Sequence, residues 1–324
     1  MSKRAIITGA TGFIGANLAR RLLHDGHAVH VLARAARSEW RIAGIRRHVE
    51  LHETDITDRE GVLAAVKRIR PEWVFHLAAY GAYSHQTEAS RIVSTNVFGC
   101  MAVLDACLET GVQAFVHGGS SSEYGYLDHP ANERHCIAPN SVYAIGKAAA
   151  THYCRLIALK HDIHAVTLRL YSIYGPYEEP SRLIPTLLVH GRRGLLPPLV
   201  SPRTARDFVY VDDAIEAMVR VAETTGIERG SILNVCSGIC TDMTTVIDSV
   251  RQLLGISAEP VWDTMPARPW DTNVWVGDPE RMARATGWRA TIPLGDGLRR
   301  TLDWLCESPE RVRSYEQDAF GPKV

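Results

Sequence analysis

The sequence predicts an α/β fold, a doubly wound parallel sheet with a smaller C-terminal lobe. Three observations carry this expectation. Short β-rich apolar runs alternate with helical patterns as far as Leu170, which is the rhythm of βαβ units joined by right-handed crossovers. A turn with glycines at 9, 12 and 15 separates the first strand from the first helix. Beyond Leu170 the rhythm breaks into a stretch rich in Pro, Gly and Arg.

The strands are expected at residues 5–7, 28–33, 49–52, 73–77, 114–117 and 165–170. Several are nearly continuous apolar runs, as befits strands covered on both faces. Ile14, Leu18 and Leu22 recur at helical spacing between the first two strands, and Gly26 stands where a C-terminal cap belongs. Helices over 91–109 and 143–160 carry apolar residues beyond one stripe, among them Ile92, Val97, Leu104, Leu108, Leu156 and Leu159. After 170 the reading gives a loop over 171–205 with a helix at 183–190, a strand at 207–211 and a helix through Ala222. Asp242 marks a further helix start, and Asp278-Pro279 reads as an N-cap and first helical residue. The organisation is thus a cofactor-binding core over 1–170, a substrate segment over 171–205, a return to the core over 206–240 and a lobe over 241–324.

Composition narrows the functions. Thirty-six basic residues balance 36 acidic ones, which argues against a nucleic-acid partner, because that would require a basic face. The seven cysteines contain no CxxC pair and read as free thiols of a reducing compartment. Cys236 and Cys240 have no neighbours to complete a metal site. No apolar run reads as long enough to span a membrane, and the N-terminus enters a strand without a secretory segment. A cytoplasmic protein with no membrane partner and no metal is expected.

The glycine turn Thr8-Gly9-Ala10-Thr11-Gly12-Phe13-Ile14-Gly15 has the strand-before, helix-after context of a dinucleotide site. The first glycine permits the tight turn, the second admits the pyrophosphate and the third allows strand and helix to pack closely. Gly9, Thr11, Gly12, Phe13 and Ile14 are therefore candidate phosphate neighbours at a helix N-terminus. An acid at the end of the second strand would bind a ribose 2′-hydroxyl, whereas arginine suits a 2′-phosphate. Here Arg34 ends the strand and Arg37 follows. NADP(H) is preferred on this ground, with NAD(H) left open. Asp55 and Ile56, after the third strand, are candidates for the adenine edge.

Tyr143 and Lys147 stand four residues apart on one predicted helix. A phenol titrates near about 10, so a nearby ammonium is needed to bring it toward use as an acid or base. Ser120-Ser121-Ser122 follows the fifth strand, where a hydroxyl can reach the same site. Ser120 is the candidate, with Ser121 or Ser122 taking its place if the loop is shifted.

With these residues in view, the chain resembles the extended short-chain dehydrogenase/reductases that modify nucleotide sugars, a Rossmann-fold family. The resemblance spans nearly the whole length. It rests on TGATGFIG at 8–15, Asp55-Ile56, His76-Leu77-Ala78-Ala79, Asn96 in TNVFG, SSSEYG at 120–125 and YAIGK at 143–147. It continues in LRLYSIYGP at 168–176, ARDFVYVDD at 205–213 and PARPWD at 266–271. The resemblance implies that Tyr143 exchanges the proton, that Lys147 lowers its pKa and holds the nicotinamide ribose, and that Ser120 binds the substrate oxygen. It implies that Leu77, Ala78 and Ala79 border the cofactor. Ser121, Ser122, Ser172, Arg182, Arg206 and Arg268 become expected substrate contacts, with Arg206 and Arg268 on a diphosphate. A homodimer through the two apolar helices is also implied.

Three departures shape the expected reaction. Ser172 stands where the family usually has Asn. Ser121-Ser122 occupies the places of the dehydratase acid pair, and Glu123 comes one position late, which speaks against dehydration. Arg34 replaces the cofactor acid. The leading expectation is NADPH-dependent reduction of a nucleotide-linked 4-keto-6-deoxy sugar at C4. The alternatives are a nucleotide-sugar 4-epimerase with retained cofactor and, from another class, a non-catalytic NADP-binding regulator.

Overall fold

The first strand is aliphatic and β-branched after Arg4 and buried from there on, and in the second Val29, Val31 and Leu32 are buried. In chain order the elements are β1 (Arg4–Thr8), α1 (Phe13–His24), β2 (Ala28–Ala33), β3 (Glu50–Glu53), α2 (Arg59–Ile69), β4 (Trp73–His76), α3 (Ala89–Val93), α4 (Gly99–Thr110), β5 (Ala114–Ser120), α5 (Val142–His161) and β6 (Ala165–Leu170). There follow β7 (Ser172–Tyr174), α6 (Leu183–Gly191), β8 (Ala205–Arg206), β9 (Phe208–Tyr210), α7 (Val211–Glu223), β10 (Ile232–Val235), β11 (Thr241–Asp242), α8 (Met243–Leu254), β12 (Val274–Trp275), α9 (Glu280–Thr286), α10 (Leu294–Cys306) and α11 (Pro309–Phe320). This computed structural model describes residues 1–35, 38–83, 85–265 and 274–320.

Seven of these strands form one sheet in the order β10-β6-β5-β4-β1-β2-β3. Every adjacent pair is parallel. The sheet separates two apolar layers. Leu18 and Leu22 of α1 join Ala214 and Met218 of α7 on one face, while Val62 of α2, Leu104 of α4 and Ala158 of α5 pack on the other. The winding direction reverses between β1 and β4, whose last paired residues are Thr8 and His76. In a doubly wound sheet, ligands bind at the carboxyl ends of the strands flanking such a reversal.

Strand β10 lies outside the sequence reading. It is four residues long and carries a polar residue, Asn234, in its middle. That residue is fully buried because its side chain bonds Ala131 O at 2.8 Å and accepts from the Tyr124 hydroxyl at 2.8 Å. The strand expected at 207–211 is β9, which is shorter and pairs with β7; Val211 already begins α7. Asp278 does not cap with Pro279 following it. Pro279 itself occupies the cap position of α9, and Asp278 Oδ1 accepts from Glu280 N at 2.9 Å. Asp242 does cap α8, accepting from Thr245 N.

The helix expected at 91–109 runs from Ala89 to Thr110 and is interrupted by a π turn at Ser94–Phe98. By length and composition this stretch is apolar enough to cross a membrane, contrary to the expectation that no run is; half of it is buried in the fold. It packs against α2 and α5, the situation of a core helix.

Two buried carboxylates, Asp207 between β8 and β9 and Asp213 on α7, tie later parts of the chain to this segment. Asp207 accepts from Ser237 N, Ser237 Oγ, Gly238 N and Gly277 N at 2.7–3.2 Å. Asp213 accepts from Thr291 N, Thr291 Oγ1 and Ile292 N, each at 2.9 Å.

Candidate active site

The glycine turn sits at the sheet's reversal. Gly9 has φ +75°, and a Cβ there would lie 2.7 Å from Ala78 N. A Cβ on Gly15 would lie 2.3 Å from Gly9 O. The two glycines thus let β1, the following helix and the 77–79 segment close on one another. Gly12 is the cap residue of α1 and contributes no side-chain cap, so the positive end of the helix is presented to an anion. The Thr8 hydroxyl locks the floor by bonding His76 Nδ1 at 2.9 Å and accepting from Leu77 N and Ala78 N at 3.2 Å. This cradle fits a dinucleotide, whose diphosphate would rest on residues 9–14.

Arg34 is exposed at the end of β2, and Arg37 lies outside the described residues. Asp55 spends Oδ1 on Thr57 N and Oγ1, while Ile56 is buried under Gly99. Asn96 pairs twice with the backbone of Tyr80, through Tyr80 N at 2.8 Å and Tyr80 O at 2.9 Å. That explains why an Asn is buried in a helix.

Tyr143 and Lys147 are on the first turns of α5, which Ser141 caps by accepting from Ala144 N. Ser120 ends β5; its hydroxyl bonds Ser122 Oγ at 2.8 Å and acts on the Tyr143 phenol, opposing the rise in its pKa. Of the three serines, Ser120 is the one turned to the phenol. Ser121 is buried, and the Ser122 hydroxyl is bonded to Ser120. Lys147 is buried and donates to Gly118 O at 2.8 Å, its Nζ lying 5.9 Å from the centroid of the Tyr143 ring. The expected depression of the phenol by lysine is therefore not what the geometry gives. Burial pushes the Tyr143 phenol up to about 12, with the Ser120 hydrogen bond and Arg182 opposing the rise.

Of the expected substrate residues, Arg182 acts on the Tyr143 phenol; Ser172 and Arg206 stand on separate elements. Ser172 heads β7, its N–H donating to Asp207 O at 3.0 Å. Arg182 donates to Ala82 O at 3.1 Å and lies over the Tyr83 ring. Arg206 on β8 packs over Trp275. Arg268 and the 266–271 motif lie outside the described residues. Sequence reasoning missed the role of Glu123, which is buried against Arg169; the signal was its unusual place directly before Tyr124.

Among the described residues, two groups bring three metal-type ligand atoms within 4.8 Å, namely His76, Cys100 and His117 in the core and His30, Glu50 and His52 at the sheet edge. At the edge, Arg68 lies 2.7 Å from His52 Nδ1. Arginine only donates, so the ring proton of neutral His52 is on Nε2, facing His30 Nδ1 at 3.1 Å. The lone pair a cation needs is already engaged. In the core, the Lys147 ammonium acts on the same Cys100, and a dication there would meet a buried positive charge. We assign a metal to neither.

The model of the NAD dependent epimerase/dehydratase family matches residues 5–236. A UDP-glucose 4-epimerase of Mycolicibacterium smegmatis is 30% identical over 93% of this chain and 98% of its own length. A dTDP-glucose 4,6-dehydratase of Streptomyces griseus is also 30% identical, over 94% of each. Among solved structures, the Thermus thermophilus UDP-glucose 4-epimerase in complex with NAD is 29% identical, with a TM-score of 0.81 over 93% of this chain and 98% of that one. The Thermotoga maritima UDP-glucose 4-epimerase superposes with a TM-score of 0.85 at 24% identity, covering 94% and 99%. Glycine cradle, Ser–Tyr–Lys constellation and these likenesses agree, and the chain belongs to the NAD-dependent epimerase/dehydratase family of extended short-chain dehydrogenase/reductase enzymes.

Proposed function

We propose that the chain is a nucleotide-sugar 4-epimerase. The observation that carries this reading is the fate of the three positions after Ser120. Dehydration requires an acid and a base of its own to remove water from the sugar. Here Ser121 is buried, Ser122 is bonded to Ser120, and the carboxylate of Glu123 is fully engaged by Ser120 N, Thr151 and Arg169. Of the two activities named for the 30%-identical relatives, epimerisation needs only the groups present.

Residues 9–14 and Lys147 would hold a nicotinamide dinucleotide, which when bound would supply hydride acceptance and return at C4 and, in its oxidised form, a positive charge. Tyr143 takes the proton of the C4 hydroxyl, and Ser120 holds the same oxygen. Reversal on the other face of the 4-keto sugar returns the proton from Tyr143 and inverts C4. Lys147 orients the ribose and, from its place on Gly118 O, steadies the end of β5.

The test is incubation of the purified protein with UDP-glucose and, separately, dTDP-glucose, followed by NMR. Appearance of the 4-epimer without net change in reduced cofactor is expected. A 4-keto-6-deoxy product would overturn the reading.

Arg34 favours a second reading, the NADPH-dependent reduction of a 4-keto-6-deoxy sugar. Its guanidinium ends β2 where a 2′-phosphate would lie. On that reading NADPH is consumed stoichiometrically with the keto-sugar. NADP(H) binds more tightly than NAD(H), and Arg34→Asp erases the preference; equal affinities in wild type by calorimetry would remove this support.

A second copy of this chain is the proposed partner. Phe98 is 59% exposed, and Ile145, Leu156 and Leu159 on α5 are more than half exposed. Apolar residues so clustered on packed helices are usually covered. A dimer mass by light scattering at micromolar concentration is expected, and a monomer mass would count against it. The odd set of seven cysteines, all free thiols, supports a reducing, cytoplasmic setting.

A further inference from the structure

Glu123 has no exposed surface, and its partner Arg169 is almost as deeply buried. Glu123 Oε1 accepts from the backbone N of Ser120 at 2.8 Å and from the Thr151 hydroxyl at 3.1 Å. Glu123 Oε2 accepts from Arg169 Nε at 2.9 Å. The same carboxylate completes a capping box with the Ser120 side chain over the turn Ser121–Tyr124. Three elements thus meet at one side chain, the end of β5 that carries Ser120, the helix α5 that carries Tyr143 and Lys147, and strand β6. Thr151 lies one turn beyond Lys147, on the same face of α5. The neighbours make room for this arrangement. A Cβ at Gly119 would lie 2.8 Å from Glu123 Oε1, and the Tyr124 ring covers the Arg169 guanidinium at 4.4 Å.

Stability alone does not account for such a pair. Buried ion pairs can often be replaced by apolar side chains of similar size at no cost, because desolvation offsets the attraction. What an apolar pair could not do is accept the Ser120 N–H and the Thr151 hydroxyl at once. We propose that Glu123 is a positioning residue that sets the distance of Ser120 from Tyr143 by tethering the end of β5 to α5, with Arg169 as its counter-charge. The inference rests on the reading above, in which Ser120 and Tyr143 share the substrate oxygen. Displacing a reacting group by about 1 Å can cost roughly 10² in rate.

The test uses two double variants of the full chain, so that neither leaves a lone buried charge. Glu123→Ala/Arg169→Met removes the tether; Glu123→Gln/Arg169→Met keeps an amide oxygen for Ser120 N–H and Thr151. The Ala/Met protein is expected to lose about 10- to 100-fold in kcat, with KM within about threefold of wild type. The Gln/Met protein is expected to recover to within about threefold of the wild-type kcat. Wild-type kcat in the Ala/Met protein, or equal losses in both, would overturn the proposal. Should either variant fail to fold, Thr151→Val cuts the link to α5 alone; it is expected to lower kcat at unchanged KM, and an unchanged kcat would also overturn it. Absence of turnover in wild type would instead count against the proposed function. In that event a crystal structure of the Ala/Met protein with the 120–124 turn unmoved against α5 overturns the positioning role by itself, and a displaced turn supports it.

Discussion

Tyr143→Phe is expected to lower turnover by roughly 10² to 10⁴, the range of a positioned proton donor or acceptor, with cofactor affinity nearly unchanged. The substitution keeps the ring that lies 5.9 Å from Lys147 Nζ and removes only the phenolic hydroxyl with its transferable proton. The phenol is pushed up to about 12 by burial, so at neutral pH it is protonated and ready to donate. Acting as a base requires a positive charge close by. The cradle at residues 9–15 is untouched, so calorimetry with the cofactor should report a wild-type value. Lys147→Ala should harm both quantities, because it removes the support at Gly118 O together with the proposed ribose contact. Ser120→Ala costs roughly 10² to 10³ if it acts as one preorganised donor. Near-normal turnover in a folded Tyr143→Phe protein would overturn the mechanism whatever the sugar.

Asp207→Ala should produce the largest loss of stability, about 3–5 kcal/mol, since each buried donor left unpaired costs about 1–3 kcal/mol. The carboxylate satisfies three backbone N–H groups and one hydroxyl drawn from residues 237, 238 and 277, so its removal orphans all of them in one place. Asp207→Asn keeps one acceptor oxygen and should fall between the two. Urea unfolding followed by far-ultraviolet circular dichroism measures both, and an Ala variant within about 1 kcal/mol of wild type would contradict this account.

The nucleotide-binding half was legible because its signals are local. Strand β1, the turn at Gly9 and the 3.6-residue period of Leu18 and Leu22 lie within one short stretch, and the alternation of strands and helices implies the parallel order. Tyr143 and Lys147 were legible for the same reason, being one turn apart on one helix. The remainder depends on contacts between distant segments. Asn234 looks like an interruption of a four-residue apolar run until Ala131 and Tyr124 are placed beside it. Glu123 looks like a displaced catalytic acid until Arg169 and Thr151 converge on it. The Lys147 ammonium satisfies Gly118 O instead of approaching the phenol, a choice no spacing rule encodes.

The π turn at Ser94–Phe98 acts as a phase shifter within a single long helix. One extra residue in a turn rotates everything after it by about 100° relative to what precedes it. Ile92 ahead of the turn and Asn96 within it address the Tyr80–Gly81 segment; after the turn, Cys100, Val103, Leu104 and Cys107 address the sheet, while Phe98 at the end of the π turn is left facing outward. The helix therefore has two masters, and its length is quantised. Deleting one residue within the turn would restore a regular helix but would force a choice, either swinging the core residues off the sheet or withdrawing Asn96 from Tyr80.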